Sequence, residues 1–539
     1  MINLAKSWRP LAWASAFLLF SPIVALLIEA LKQGSPIFAH LYHTVLFDYV
    51  KNSLILLAGV CGLALIWGVP SAWLVARYEF FGRKWLRWAL LLPMALPAYL
   101  VAYVYTDVLD YAGPVQSAIR AWFGYASARD YWFVDMRTMG GAIFVLSLVF
   151  APYVYWLTSL NFQSQSQSLF EAARLLGQKE WQIFYNVALP LARPAIAVGC
   201  TLVGMETLAD YGTVAYFSIW HITTAIYDTW LGHGDLSAAA KLSSLLLLFV
   251  VVLISLEKYN RRKMRLYSER TTPLVRVHLR GWRAILATLW CGFIVMVGFL
   301  LPAGWLVYSG IRYFDRTDWG KFAQMTWHSV SVALGVALMA LVVALVVEFY
   351  ARKQVNRYTF PRRLASLGYA VPGTVLAIGV LIVTTTIDHG LNALTTSWGF
   401  GNIGLLLSGT LFAMGFAFLC RFAAIAIGSV EAGMGKIPIS LDQTAFMHGY
   451  HHGQTARVVW LPLLRGSLLT AFVLVFLESM KELSAALLLR PFNVNTLATH
   501  IFEYMSAEMF EVAALPALLL VVVGLPPVIL LTLSMDNKQ

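Results

Sequence analysis

Apolar residues gather along the chain in twelve long runs, at around 11–31, 53–76, 88–106, 140–160, 195–217, 237–256, 284–308, 329–350, 364–385, 403–428, 467–488 and 510–534. Each is close to the roughly 20 residues that a helix needs to cross a bilayer, so the pattern predicts an all-α polytopic membrane protein with twelve spans. The first run follows Lys6 and Arg9, as a secretion signal would. It is too long for a signal core and no small-residue cleavage site follows, which predicts a retained span.

The polar intervals repeat. Ser168-Leu169, Ala173, Gly177, Val187, Leu189 and Pro190 recur 272 positions later as Ser440-Leu441, Ala445, Gly449, Val459, Leu461 and Pro462. Each stretch reads as a polar hairpin of two short helices. Ser168 with Glu171, and Ser440 with Gln443, have the spacing of a capping box. Gly177 and Gly449 then end the first helix in a left-handed turn, and the leucine-proline pair marks the start of the next helix, where proline is tolerated. Outside the loops, Asn52-Ser53 matches His328-Ser329, Ala76-Arg77 matches Ala351-Arg352 and Pro97 matches Pro372. Six spans per half is an even number, so the halves enter the membrane in the same sense, as parallel repeats. The expected division is a first half over 1–257, a basic join over 258–283 and a second half over 284–539. The outer segment from Asp107 to Met139 is longer than its counterpart near Ile387 to Asn402.

Composition and charge sharpen this reading. The 59% hydrophobic content, 12% charged residues and mean hydropathy of +0.70 lie outside the range of soluble domains. The net charge of +12 does not point to nucleic acid, because with a cytoplasmic N-terminus most of the 39 Lys and Arg fall in cytoplasmic intervals. Nine of them lie between Lys258 and Arg283, a topogenic join that can also meet anionic lipid. Both termini are expected on the cytoplasmic side. Cys61, Cys200, Cys291 and Cys420 lie in or beside apolar runs without metal-site spacing and read as small buried hydrophobes.

Glu171-Ala172-Ala173, Gly177 and Val187-Ala188-Leu189-Pro190 resemble the EAA loop of ATP-binding-cassette importer permeases. The resemblance implies a type I importer permease with its two halves fused. It also implies that each loop docks on one of two copies of a cytoplasmic ATPase, through Glu171, Ala172, Ala173, Gly177, Leu189 and Pro190 in the first copy and Gln443, Ala445, Gly449, Leu461 and Pro462 in the second. Gln443 and Thr444 replace the acid and first alanine, so the first loop is expected to matter more. A periplasmic or lipid-anchored solute-binding protein would dock outside, in a bacterial cytoplasmic membrane. Glu206 to Thr213 with Thr223-Thr224-Ala225, and Lys481-Glu482-Leu483 with Leu489-Arg490-Pro491-Phe492, are similar to the iron(III) branch of these permeases. Thiamine, polyamine and aminoethylphosphonate importers share the layout.

Two acids lie in the fifth span of each half: Glu206 and Asp210 in the first, and Glu478 and Glu482 with Lys481 beside them in the second. Their i, i+4 spacing predicts one helix face per pair, and the cost of a charge at a helix centre, about 3 kcal/mol, predicts a wet path or an internal strut rather than lipid. Carboxylates suit a hard cation such as iron(III), and also an organic cation. Lys481 could neutralise Glu478 as a strut. There is no G-x-x-x-x-G-K-[ST] phosphate loop, so ATP and Mg would be used by the partner ATPase, no cofactor is expected on this chain, and the chain reads as a transport subunit rather than an enzyme. His448, His451 and His452 read as loop-surface residues. A secondary transporter driven by an ion gradient would also have twelve spans, parallel repeats and buried acids, but it would have no use for two capped loops.

Overall fold

The computed structural model describes residues 4–32, 34–262, 275–353 and 360–536, so residues 263–274 of the basic join lie outside the described residues. Eleven described helices are long and apolar enough to cross a membrane, and they follow the predicted runs in order. The run at 88–106 differs. It is a pair of helical stretches, Arg83–Ala95 and Ala98–Phe123, bent by 93°. Pro97 removes a backbone donor and forces the residue before it out of the helical region; Leu96 and Pro97 are extended, with ψ of 125° and 137°. The second half repeats the device at Val371 and Pro372, with ψ of 129° and 144°. The predicted span at 364–385 therefore begins only at Gly373, and it runs to Ser397. That helix takes up most of the expected second outer segment. In the first outer segment, Pro114–Phe123 is helical.

The chain forms two compact units that cut across the sequence halves. One gathers Met1–Thr44, Ala225–Leu247 and Asp318–Ile501; the other gathers Val45–Thr224, Leu248–Thr317 and Phe502–Gln539. The opening helix Leu4–Ala30 thus packs with second-half helices, on Gly373–Ser397 and Trp319–Lys353. At Gly379 a Cβ would lie 2.4 Å from the carbonyl oxygen of Pro22, so only glycine allows that crossing. The opening helix of the second half, Trp282–Val295 with its continuation to Arg312, belongs with the first-half helices. Trp290 there donates to the Ser71 hydroxyl at 3.1 Å.

The same three-helix core serves each unit. Leu46–Arg77, Met139–Ser164 and Leu189–Ala209 pack together in one, and Trp319–Lys353, Leu411–Met434 and Leu461–Lys481 in the other. Small residues set the approach. A Cβ at Gly68 would meet Val154 at 2.8 Å, and one at Gly433 would meet the Ser467 hydroxyl at 2.4 Å. Strand is confined, among the described residues, to a two-residue parallel ladder that pairs Tyr78 and Glu79 with Val277 and His278.

Candidate functional site

The first loop is built on Gln167–Leu175, the turn at Gly177 and the long helix that starts at Glu180. Gly177 has φ +80° and Gly449 has φ +77°, as the sequence predicts. The N–H of Gln178 donates to the carbonyl of Ala173, and that of Tyr450 to the carbonyl of Ala445, closing the same helix end in both copies. The expected capping boxes are not formed. The helices start at Gln167 and Ile439, one residue before Ser168 and Ser440, so both serines lie inside the first turn. Glu171 instead accepts from the Gln167 amide at 3.0 Å. Reciprocal capping falls on the second helix of the hairpin. Lys179 N–H donates to the Gln182 side chain at 2.8 Å, and His451 exchanges hydrogen bonds with Gln454, each 3.1 Å long. Of the three loop histidines, His451 therefore has a structural task.

Each loop is tied to the core by an arginine at the end of its half's first core helix. Arg77, fully buried, donates to the Val275 carbonyl at 2.7 Å and to the Gln167 amide oxygen at 3.3 Å, and its guanidinium lies 5.2 Å from the Phe170 ring centre. Arg352 pairs with Asp442 at 2.8 Å and donates to the carbonyls of Met434 and Ile437 at 3.2 and 2.9 Å. Trp460 completes this knot by donating to the other Asp442 oxygen at 2.8 Å. The repeated Ala-Arg pair is thus a loop anchor, a role its spacing alone does not disclose.

Leu189-Pro190 and Leu461-Pro462 do not start new helices. Glu180–Ala209 and His452–Lys481 are continuous spans of 30 residues each. Directly before each proline one turn widens, Phe184–Ala188 and Ala456–Trp460, where the N–H of Leu189 reaches Phe184 and that of Leu461 reaches Ala456. The wide turn accommodates a proline that would otherwise break the ladder. The second loop helix and the membrane helix form one continuous rod on each side.

Both rods end at the acids. The helix stops at Ala209 and at Lys481, and Asp210 and Glu482 are extended, with ψ of 129° and 114°. The predicted shared helix face for Glu206 with Asp210, and for Glu478 with Glu482, is therefore not formed. Asp210 turns back to accept the N–H groups of Thr213 and Val214 at 3.0 and 3.2 Å, starting the short helix Gly212–Tyr216. Glu482 accepts from Ala485 N–H at 3.1 Å, ahead of Ser484–Leu489. Glu206, Glu478 and Lys481 stay on the rods, each partly exposed. Among the described residues no salt bridge within 4.0 Å joins Lys481 to Glu478, although the Glu478 charge acts on the Lys481 ammonium. The cation that does pair is Arg421, 2.7 Å from Glu482. Arg421 sits in the middle of the apolar run 403–428, and its charge, alone in that run, is the sequence signal for it. The repeated serines close the pattern: Ser53 accepts the N–H of Ile222 at 3.1 Å, and Ser329 that of Leu497 at 2.7 Å. Each holds the start of the second short helix after the break.

Residues 64–266 match the family described as binding-protein-dependent transport system inner membrane component. The chain is 24% identical over 498 residues to the Fe(3+)-transport system permease protein FbpB 2 of Haemophilus influenzae, covering 91% of this chain and 90% of that one. It is 25% identical over 549 residues to the ferric transport system permease protein FbpB of Actinobacillus pleuropneumoniae, covering 94% and 74%. The molybdenum transport system permease protein ModB of Escherichia coli is 28% identical over 223 residues, 39% of this chain but 94% of that protein. The chain is a fused binding-protein-dependent permease. A relative that is used almost whole by a fraction of this chain, beside relatives that run its whole length, is what two fused halves produce. As a permease it is a transport component of the inner membrane that crosses the bilayer many times. Among its described residues no three His, Cys, Asp or Glu side chains converge as metal ligands.

In this permease the loop glycines allow a graded test. No atom lies within 4 Å of a Cβ built at Gly177, so Gly177→Ala costs only the left-handed backbone, about 1 kcal/mol. Faster exchange of the Gln178 amide is the expected result, in a protein that inserts at the normal level. Unchanged exchange would remove the turn from the account.

Proposed function

We propose that this permease carries iron(III) into the cytoplasm as the membrane subunit of an ATP-driven importer. The observation that carries the reading is kinship along nearly the whole chain with two-halved permeases named for ferric transport. Two further features support it: a loop in each half with the same Gly turn and arginine anchor, and membrane acids that offer oxygen to a hard cation. Each loop takes one of two ATPase copies. A periplasmic or lipid-anchored binding protein delivers the ion on the opposite side, and both termini face the cytoplasm in keeping with the basic-residue bias. ATP and Mg belong to the ATPase. Because each loop helix continues into a 30-residue span, movement of the ATPases is passed on along a rod.

The test is uptake into vesicles holding the permease, its ATPase and its binding protein. Iron(III) uptake is expected to require ATP and to persist when the proton gradient is collapsed. Loss of uptake with the gradient while ATP is kept constant would replace the importer by a secondary transporter. ATP-dependent uptake of thiamine, molybdate or sulfate in place of iron would keep the machinery and change the substrate.

A further inference from the structure

The two halves repeat one helix crossing but fill it differently. The match of Ser53 with Ser329 aligns Gly59 with Gly335, and the offset of 272 aligns the helix-capping Thr138 with Thr410 and Ile143 with Gly415. In the first half Ile143 lies on the glycine: a Cβ at Gly59 would come within 2.5 Å of its Cδ1 and 2.9 Å of its Cγ1. In the second half both facing positions are glycine. A Cβ at Gly335 would have no heavy atom within 4 Å, and one at Gly415 would meet only Val336 Cγ2, at 3.9 Å. The side chain that closes the first crossing has no counterpart in the second, and a groove of about 430 Å³ opens between Trp319–Lys353 and Leu411–Met434.

The walls of the groove and its place in the membrane decide what fits. Ser331, Gly335 and Met339 line one side, and Leu411, Gly415 and Leu419 the other. The Ser331 hydroxyl is turned back on its own helix, donating to the His328 carbonyl at 3.0 Å, and every other lining side chain is apolar. Both helices are long and apolar enough to cross a membrane, and Leu338, Met339 and Phe412 at the rim are exposed, so the groove faces bilayer hydrocarbon. From Ser331 to Met339 it runs about 12 Å along the helix axis, close to the roughly 15 Å of hydrocarbon in one leaflet. Trp327, exposed one turn before Ser331, marks the headgroup level. The far ends of the same two helices carry the loop anchor, where Arg352 donates to the Met434 carbonyl, which puts the groove in the leaflet remote from the loops. Spread over its length, 430 Å³ gives a cross-section of roughly 36 Å², whereas a helix about 10–12 Å across needs roughly 80–110 Å². A membrane helix of a partner or of a second copy is too wide, and a flexible hydrocarbon chain is not.

We propose that this groove is a lipid site: one acyl chain of a phospholipid in the leaflet remote from the loops lies between Gly335 and Gly415 and takes the place that Ile143 fills in the first half. The site does not depend on which ion is carried. The glycines supply depth and Met339 an adaptable wall. Among surfaces already in hydrocarbon the attraction is van der Waals packing, and the chain gains it from both helices at once. The core of the second half thus includes a membrane lipid as a packing element, whereas the first half carries its own.

Gly415→Ile restores the first-half arrangement and closes the groove, since its Cβ has room. Gly428→Ile, on the same helix but outside the groove, is the control; nothing lies within 4 Å of its Cβ, and it makes the same change in helix propensity. The full-length permease is reconstituted in phosphatidylethanolamine that carries a photoreactive group in mid acyl chain, irradiated and digested. Adducts are expected on segments 331–339 and 411–419 well above those on the matching first-half segments 55–63 and 139–147. They should fall to the first-half level in Gly415→Ile and stay unchanged in Gly428→Ile. In detergent, delipidation is expected to lower the unfolding temperature of the wild type and of Gly428→Ile, and added phospholipid to restore it, while Gly415→Ile responds to neither. Adducts spread evenly over the exposed spans of the wild type overturn the site without recourse to any variant, as do adducts kept in Gly415→Ile. Crosslinks from these segments to a second copy or another protein would put a helix in the groove and overturn it as well. An equal response of Gly415→Ile and the wild type to phospholipid would overturn the packing role.

Discussion

Gly368→Ala is expected to remove most of the folded permease from the membrane. A Cβ at this position would lie 1.9 Å from the carbonyl oxygen of Cys420 and 2.8 Å from its carbonyl carbon. These are backbone atoms of the Leu411–Met434 helix, so no rotamer change relieves the overlap; the helix itself has to move. Overpacking of this kind costs about 1–3 kcal/mol even where side chains can give, and here the next residue, Arg421, holds the buried pair with Glu482. Gly335→Ala is the control, since nothing lies within 4 Å of its Cβ and the site is a helix interior. Monodisperse protein recovered after detergent extraction should fall sharply for the first variant and stay level for the second. Equal recovery and equal thermal stability for Gly368→Ala would show that the close approach does not constrain the fold.

Arg352→Ala should disconnect the second loop while leaving the spans in place. The pair with Asp442 is nearly buried, at 12% and 11% side-chain exposure, and removal of one partner from a buried pair costs about 3–5 kcal/mol because the other charge is left uncompensated. The carbonyls of Met434 and Ile437 lose a donor at the same time. The loop is the cheapest element to release, so the expected outcome is faster proteolysis within Ile439–Met447 in the isolated permease. In the assembled importer, ATPase activity should no longer rise when loaded binding protein is added. Arg352→Lys keeps the charge but cannot serve a carboxylate and two carbonyls with one planar fork, so it should fall between the two. Normal protease resistance in Arg352→Ala would end the anchor account, whatever the transport assay shows.

Much of the geometry of the two loops was legible because its devices are local. A glycine that must adopt φ near +80° betrays itself by its place between two helical stretches, and the offset of 272 ties the two loops together. The misreadings are also local in origin. Ser168 and Glu171 have the spacing of a cap, yet the helix begins one residue earlier. Pro190 resembles a helix start, yet a widened turn carries the rod through it. Asp210 looked like the next position on the Glu206 face, but its carboxylate serves the N–H groups of the following helix and ends the rod at Ala209.

The sequence by itself determined that this is a multi-pass membrane protein whose polar loop recurs 272 positions apart, because insertion energy and chain spacing depend on residues close together along the chain. Only the tertiary structure decided which helices share a core, so that the opening span of each half belongs to the unit built on the other. It also decided the partners of the charges: Arg352 finds Asp442 across 90 positions, and Arg421 finds Glu482 across 61. Arg421 lies directly after the residue whose backbone the close approach at Gly368 meets, and no periodicity along one segment records its neighbour.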